Sequence, residues 1–291
     1  MSHTPPHGPH HGHGHHGHGH HHDGEDQVEM LDLSEEILAE HIAATTAWLP
    51  VQGSPRRIVD LGCGTGAGTF ALLARFPEAH VTAVDSSAEH LDRLGEKARA
   101  QGVDERVRRV RADLDSDWPD LGTPELVWAS ASMHHMADPE RALRKVHDLL
   151  APGGLFAVVE LAGLPHFLPA DAPEDRPGLE ARIYAAADRF SAEEMPYRGA
   201  DWGPMLTGAG FVLEGERVFT ANIEGSRNET VGRYALGTLR RVRAAVADEL
   251  APDDLAALDR LLDTGGPGGV LRRDDLVLRT ERTVWAARRG G

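Results

Sequence analysis

The stretch that most constrains this chain is Ile58-Val59-Asp60-Leu61-Gly62-Cys63-Gly64-Thr65-Gly66. An apolar run ends at a carboxylate, a turn with three alternating glycines follows, and Ala67 to Phe76 carries a helical pattern. The order is strand, tight turn, helix start. Glycine reaches positive φ without steric cost and leaves no Cβ between backbone and ligand. The helix start adds unpaired N–H groups and the positive end of the helix dipole. A nucleotide-type cofactor fits against such a loop. The loop alone does not choose among them, because Gly62-x-Gly64-x-x-Ala67 also satisfies the dinucleotide pattern.

The rest of the chain supplies a matching rhythm. Strands at about 57–62, 80–85, 106–111, 125–130 and 155–161 alternate with helices at about 66–76, 87–101 and 139–150. Alternation of this kind builds a parallel sheet with right-handed crossovers. After residue 161 the rhythm breaks. Residues 163–200 hold five prolines and one amphipathic helix begun by Pro177, with Leu179, Ile183, Ala187 and Phe190 on one face. A helix near 201–209 leads into a strand over Phe211 to Phe219. Helices at about 229–249 and 252–263 follow, the first weakened by Gly232 and Gly237. Thr264 to Gly269 is glycine-rich but lacks Lys, so it reads as a linker and not a phosphate cradle. A strand at about 280–288 closes the chain. Upstream, Asp32 or Ser34 caps a helix running to about Leu49, with Ile37, Leu38, Ile42 and Leu49 as its apolar face.

Residues 1–27 read as a disordered tail. Eleven of the first 22 residues are His, mixed with Gly and Pro, and nothing there builds a core. Imidazoles at this density can hold a divalent metal incidentally. An inert tail, a metal-handling segment and a tag all stay open, and none bears on catalysis. Residues 28–291 then form the folded domain.

Composition narrows the partners. The formal net charge is −16 and the pI about 5.5, against the basic face that nucleic acid requires. A single Cys excludes an intrachain disulfide and a multi-Cys metal site; no metal site is expected among the catalytic or cofactor residues. The longest apolar run, Leu155 to Leu164, is short and interrupted by Glu160, and no leader-like apolar stretch opens the chain. The expectation is a soluble cytoplasmic protein without a membrane partner. A homodimer stays open.

Three carboxylates lie where a ligand would meet the sheet. Asp85 ends the second strand, 19 residues after Gly66, where an acidic residue reaches ribose hydroxyls. Asp113 follows the third strand, placed to accept from an adenine amino group while Leu114 packs on the ring. Asp60 sits two residues before the first glycine, a position that suits a cation such as the ammonium of a methionine moiety and repels pyrophosphate. Cys63, Ser86, Ala112 and Ser130 flank these positions and complete the expected cofactor contacts. Cys63 itself is expected as a small buried filler of the loop.

At this point the sequence resembles the class I S-adenosylmethionine-dependent methyltransferases. The resemblance rests on Val59-Asp60-Leu61-Gly62-Cys63-Gly64-Thr65-Gly66, Val84-Asp85-Ser86-Ser87 and Ala112-Asp113. It continues through Met133-His134-His135-Met136-Ala137-Asp138-Pro139, Leu150-Ala151-Pro152-Gly153-Gly154 and Gly208-Ala209-Gly210-Phe211. It covers about 34–220 plus the last strand. It implies an α/β, Rossmann-like, seven-stranded, mostly parallel sheet with an antiparallel last strand. It implies S-adenosyl-L-methionine as cofactor, carried by Gly62, Gly64 and Gly66, with Asp85 on the ribose and Asp113 on the adenine. It also implies that helical insertions at about 163–200 and 222–275 cover the acceptor.

Within that family, the His-His pair after the fourth strand looks like that of small-molecule O-methyltransferases. The Asn/Asp-Pro-Pro-Tyr type of motif and a catechol-type metal triad are absent. Methyl transfer from a sulfonium is mostly alignment, and a neutral hydroxyl acceptor also needs a base. His134 and His135 are the candidates, with Glu160 at the end of the neighbouring strand to orient one of them or take a proton. The competing reading packs one His structurally near Asp138. His41, His80, His90, His147 and His166 are expected to be bland. The function expected is methylation of a small molecule, on oxygen. A non-catalytic or metal-binding protein on the same fold and a nicotinamide-dependent oxidoreductase are the alternatives.

Overall fold

The computed structural model describes residues 19–290, and the side chains of 24–189, 195–226 and 228–290. Residues 1–18 of the expected tail and the Phe190 side chain lie outside the described parts. Seven strands form one sheet: β1 (Arg57–Leu61), β2 (His80–Asp85), β3 (Val107–Arg111), β4 (Leu126–Ser130), β5 (Leu155–Leu161), β6 (Phe211–Glu224) and β7 (Val277–Arg289). They lie side by side as β3-β2-β1-β4-β5-β7-β6. β1 to β5 pair in parallel, and β7 runs antiparallel between β5 and β6. This is the expected Rossmann-like sheet with its antiparallel last strand.

β1, β4 and β5 are buried nearly throughout, as strands covered on both faces must be. The crossover helices are α2 (Ala67–Arg75), which starts at Gly66 without a side-chain cap, and α3 (Ala88–Ala100) and α4 (Pro139–Leu149), which start at capping side chains. Ser87 Oγ accepts from His90 N–H at 3.2 Å, and Asp138 Oδ1 from Arg141 N–H at 2.9 Å, with Pro139 opening α4. The strand order reverses between β1 and β4, so the crevice for ligands opens at the carboxyl ends of these strands.

β6 and β7 run past the sheet. They pair with each other from Phe211↔Arg289 to Glu224↔Val277, whereas β5 meets β7 only over Arg282–Arg288. Both strands are longer than their sequence pattern suggests, because the overhanging residues pack against helices and not against a strand on each side. That overhang, with Ala221 and Leu278 buried, seats a helical layer. The layer combines α1 (Gly19–Trp48), α5 (Leu179–Glu194), α7 (Glu229–Val246) and α8 (Pro252–Leu262), while α6 (Trp202–Gly208) packs beside α4. Asn228 caps α7 and Asp201 caps α6.

α1 corrects the expected boundary. It begins at Gly19, so residues 19–27 are helical and not part of a disordered tail. The physical reason is tertiary. Met30, Leu33, Ile37 and Leu38 are buried, and Asp32 and Glu35 pair with Arg93 and Lys97 of α3. That packed stretch holds the helix, and residues 19–27, of which 25–27 are exposed, extend it back at one hydrogen bond per residue. Among the described residues, no helix is long and apolar enough to cross a membrane.

The two glycines of α7 differ in surroundings. A Cβ on Gly232 would meet Leu271 at an ordinary 3.6 Å, whereas one on Gly237 would lie 2.1 Å from the buried Met30 Sδ of α1. Helix propensity alone favours Ala at both by about 1 kcal/mol. Gly232→Ala is therefore expected to raise Tm, and Gly237→Ala to lower it by forcing α1 off α7. Thermal denaturation of the two variants checks this; equal gains would show that Met30 re-seats without cost.

Candidate active site

The carboxyl ends of the parallel strands open on a cavity of about 510 Å³. Its floor is the glycine loop. Gly62, Gly64 and Gly66 hold φ of 67°, 52° and 105°, values that side-chain-bearing residues avoid. The Gly62 and Cys63 N–H groups both donate to Val84 O, at 2.8 and 3.0 Å, tying the loop to β2. A Cβ on Gly62 would fall 2.4 Å from Ser132 Cβ, so only glycine lets the loop and the turn after β4 touch. Gly62, Cys63 and Gly64 line the cavity. Gly66 does not: it caps α2 and packs against Phe70 and Leu94, so its role is to shape the turn.

Asp85 lies beside the loop and lines the cavity. Its Oδ2 accepts from Gly64 N–H at 2.9 Å, and its Oδ1 from Ser87 N–H at 2.9 Å. His90 Nδ1 sits 3.2 Å from the same Oδ1. Burial alone would raise this carboxyl's pKa, but the hydrogen bonds from His90, Ser87 and Gly64 outweigh it and hold it below the usual range. His90, expected to be bland, is thus a wall residue that buttresses Asp85.

Asp60 is the opposite case. It is 2% exposed, and its Oδ2 accepts from Thr69 Oγ1 at 2.7 Å. No Lys or Arg pairs with it among the described residues. Burial pushes its pKa up to about 7, and the nearby Asp85 charge adds to the rise. A cation entering the cavity would supply the missing counter-charge.

Asp113, Ala112, Leu114 and Ser86 line the adjoining part of the wall, and Ser130 lies at the end of β4. Asp113 folds its own turn, accepting from Asp115 N–H at 2.9 Å and Ser116 Oγ at 3.1 Å. Cys63 is buried, and burial pushes its thiol pKa well up, with the Asp60 and Asp85 charges adding to it. It is a filler and not a nucleophile.

The two histidine rings lie 4.2 Å apart between centroids, but they meet different surroundings. His134 is 4% exposed and does not line the cavity; its Nδ1 lies 2.6 Å from Glu160 Oε2. Glu160 is equally buried, and its Oε1 accepts from Ser132 N–H at 3.2 Å and Met133 N–H at 2.9 Å. Glu160 and His134 therefore anchor the turn, and neither reaches the cavity as expected. The reason is that this carboxylate is spent on backbone N–H groups that the turn leaves unpaired. The structural partner of His134 is Glu160 and not the expected Asp138. His135 is the one that lines the cavity. Burial lowers its pKa first and the neighbouring His134 next, Glu160 pulls the other way, and Arg198 adds a smaller lowering, so its imidazole is neutral at pH 7. Ala131, at φ 51°, makes the sharp departure from β4 into this turn.

Sequence reasoning missed Gln27, Leu31, Ser34 and Glu35 of α1, Trp128 of β4 and Arg282 of β7, all of which line the cavity. Trp128 could have been found from its place two residues before Ser130. The α1 residues and Arg282 carried no local signal. Among the described residues no His/Cys/Asp/Glu cluster could hold a metal ion. The donor set suits S-adenosylmethionine. A glycine cradle lies beside an ionised carboxylate for a diol, and a buried carboxylate without a counter-charge lies beside the same loop.

Comparison with known proteins agrees. Residues 58–154 match the methyltransferase domain model Methyltransf_25. The chain is 34% identical over 224 residues to a trans-aconitate 2-methyltransferase of Mycolicibacterium gilvum, covering 73% of this chain and 80% of that one. It is 34% identical over 167 residues to a malonyl-[acyl-carrier protein] O-methyltransferase of Halorhodospira halophila, covering 56% of this chain and 54% of that one. A crystal structure of a Bacillus halodurans protein shares the fold at a TM-score of 0.54 and 17% identity, over 86% of this chain and 99% of that one. Loop, strand order and relatives converge, and the chain belongs to the class I S-adenosylmethionine-dependent methyltransferases.

Proposed function

We propose that this methyltransferase acts on an oxygen of a small-molecule acceptor. The observation that carries the reading is His135, a neutral imidazole on the wall of the same cavity as the glycine loop. The relatives named for trans-aconitate and for malonyl O-methylation support it. So does the net charge of −16, which disfavours nucleic acid.

When bound, S-adenosylmethionine supplies an electrophilic methyl group on a sulfonium. Asp85 holds the ribose hydroxyls, Asp113 and Leu114 the adenine, and Asp60 the positive charge of the methionine end. Gly62 to Gly64 let the backbone approach without side chains. The chain's part in the chemistry is alignment and exclusion of water. His135 holds the acceptor oxygen and takes the proton when that oxygen is a hydroxyl. Among the described residues, none that lines the cavity comes from the segments 163–200 and 222–275 expected to cover the acceptor; α1 supplies that wall through Gln27, Leu31, Ser34, Glu35 and Ile42. Transfer of radiolabelled methyl from S-adenosylmethionine to candidate acceptors, with the methylated atom located by NMR, tests the proposal; methyl found only on nitrogen or carbon would overturn the oxygen assignment.

The two histidines should behave differently. His134→Ala removes a partner from a buried carboxylate and is expected to cost about 1.5–3 kcal/mol of stability. His135→Ala should leave stability nearly unchanged and lower kcat on the order of 10²-fold, with cofactor affinity kept. Chemical denaturation and steady-state kinetics on both variants check the split.

Asp60 makes cofactor binding pH-dependent. In the free enzyme it is half protonated near pH 7, and a bound cation favours the carboxylate. Binding below pH 7 must therefore expel a proton. Affinity for S-adenosylmethionine should rise with pH, by up to about tenfold per unit below 7, and level off above. Calorimetry at pH 6, 7 and 8, in buffers of different ionisation enthalpy, should show proton release at pH 6 and almost none at pH 8. A flat profile would mean that Asp60 does not meet the cofactor's charge.

A further inference from the structure

Arg282, His41 and Trp128 each carry a buried nitrogen without a hydrogen-bond partner, Nε, Nδ1 and Nε1, the last of which lies against Gly68 beside Asp60. All three residues line a small annex, about 20 Å³ in volume, which shares Ile42, Trp128, Ser130 and Arg282 with the main cavity. The remaining wall is mainly apolar, with Leu38, Val159 and Phe219. Arg282 stands on the antiparallel strand β7, paired across to Leu161 of β5 and Phe219 of β6, at the carboxyl edge of the sheet.

An unpaired donor in such a place is costly, and an unpaired guanidinium more so. No carboxylate pairs with Arg282 among the described residues. Glu160 is near enough for its charge to be felt, but its oxygens are taken by Ser132, Met133 and His134. Burial holds the Arg282 pKa below its ordinary value, with the Tyr234 and Glu160 fields opposing. Something that enters the cavity must satisfy this group. A cationic acceptor is repelled. A neutral one leaves the charge desolvated and unmatched. A planar carboxylate matches the guanidinium fork. The annex itself has room for little more than one water-sized group, which favours a compact head over a phosphate.

We propose that the acceptor is a small, largely apolar carboxylic acid, and that Arg282 pairs with its carboxylate where the two cavities join, with His41 as a flanking partner and Trp128 as part of the wall. The proposal rests on the methyl-transfer reading above and names the acceptor class for that site. Arg282 is a binding and specificity residue in this account. The proton work, where there is any, stays with His135.

The test uses the full chain saturated with S-adenosylhomocysteine, whose own binding is titrated first. Hexanoate, hexanamide and hexylamine are then titrated by calorimetry. Hexanoate is expected to bind at least tenfold tighter than hexanamide, and hexylamine to show no binding. Arg282→Gln should weaken hexanoate about 10- to 100-fold, the scale of a lost charge-assisted pair, while S-adenosylhomocysteine affinity holds within about threefold. Arg282→Lys should recover only part of the loss. If Arg282→Gln fails to bind S-adenosylhomocysteine and is thus misfolded, His41→Phe decides, since it removes the ring nitrogens and keeps a planar aromatic side chain; it should cost hexanoate several-fold. Equal binding of acid and amide, or hexanoate affinity unchanged in a variant that still binds S-adenosylhomocysteine, would show that internal water satisfies these donors and would overturn the proposal. A parent chain that binds no S-adenosylhomocysteine would instead overturn the methyl-transfer reading beneath it.

Discussion

The Glu160 carboxylate is the interaction on which the site depends. It lies at the end of β5, 2% exposed, and gathers the Ser132 and Met133 N–H groups and His134 Nδ1 from the turn after β4. That turn leaves the strand through a positive-φ Ala131, and its Ser132 Oγ donates to Leu61 O at the head of the glycine loop. One buried carboxylate thus holds the turn that carries both histidines and brings Ser132 against the loop, where only a bare Cα at Gly62 fits. Hydrogen bonds to a charged group in a dry place are among the stronger ones available. The arrangement resembles a second layer of support beneath a binding surface, with the wall residue His135 left free to meet a ligand.

Electrostatics divides the cavity. Asp60 on β1 is a buried carboxylate lacking a cation, and Arg282 on β7 is a guanidinium lacking an anion. β4 and β5 stand between them. Trp128, the β4 neighbour of Asp60 in the sheet register, lines both the main cavity and the annex. Each charge is expensive to keep unpaired in the folded state. The pair stays apart because the sheet holds their strands apart, so the protein cannot relieve one with the other. Stability is spent at both ends of one pocket in a chain that is otherwise strongly acidic.

Much of this was legible in the sequence, and the reasons are local. The βα units were found because apolar runs, glycine turns and caps such as Ser87 and Asp138 are encoded within a few residues of one another. Asp85 and Asp113 were found because strand ends at a switch point have a fixed relation to a ligand. What escaped was set by partners far along the chain. α1 is held where α3 and α7 receive it, from Glu29 to Glu35, and it extends back to Gly19 by propagation of the helix, which its weak hydrophobic pattern does not announce. Which histidine faces the cavity depends on a carboxylate 26 residues from His134. Arg282 reads as one more charge in an alternating strand; only the β5–β7 pairing and the overhang of β6 and β7 show that it stands over a cavity. Gly66 sits in the glycine motif like Gly62 and Gly64, yet its packing on Phe70 and Leu94 keeps it off the wall.

α1 has a mechanical consequence. At 1.5 Å per residue its 30 residues form a rod of about 45 Å. Near its start Gln27 and Leu31 border the cofactor cavity, and further along Leu38 and His41 wall the annex beside Arg282. Ion pairs to Arg93 and Lys97 clamp it between these two places. A continuous helix does not bend freely in its middle, so one rigid element walls both places. The shape of the cofactor end is thereby tied to the shape of the annex through a single rod.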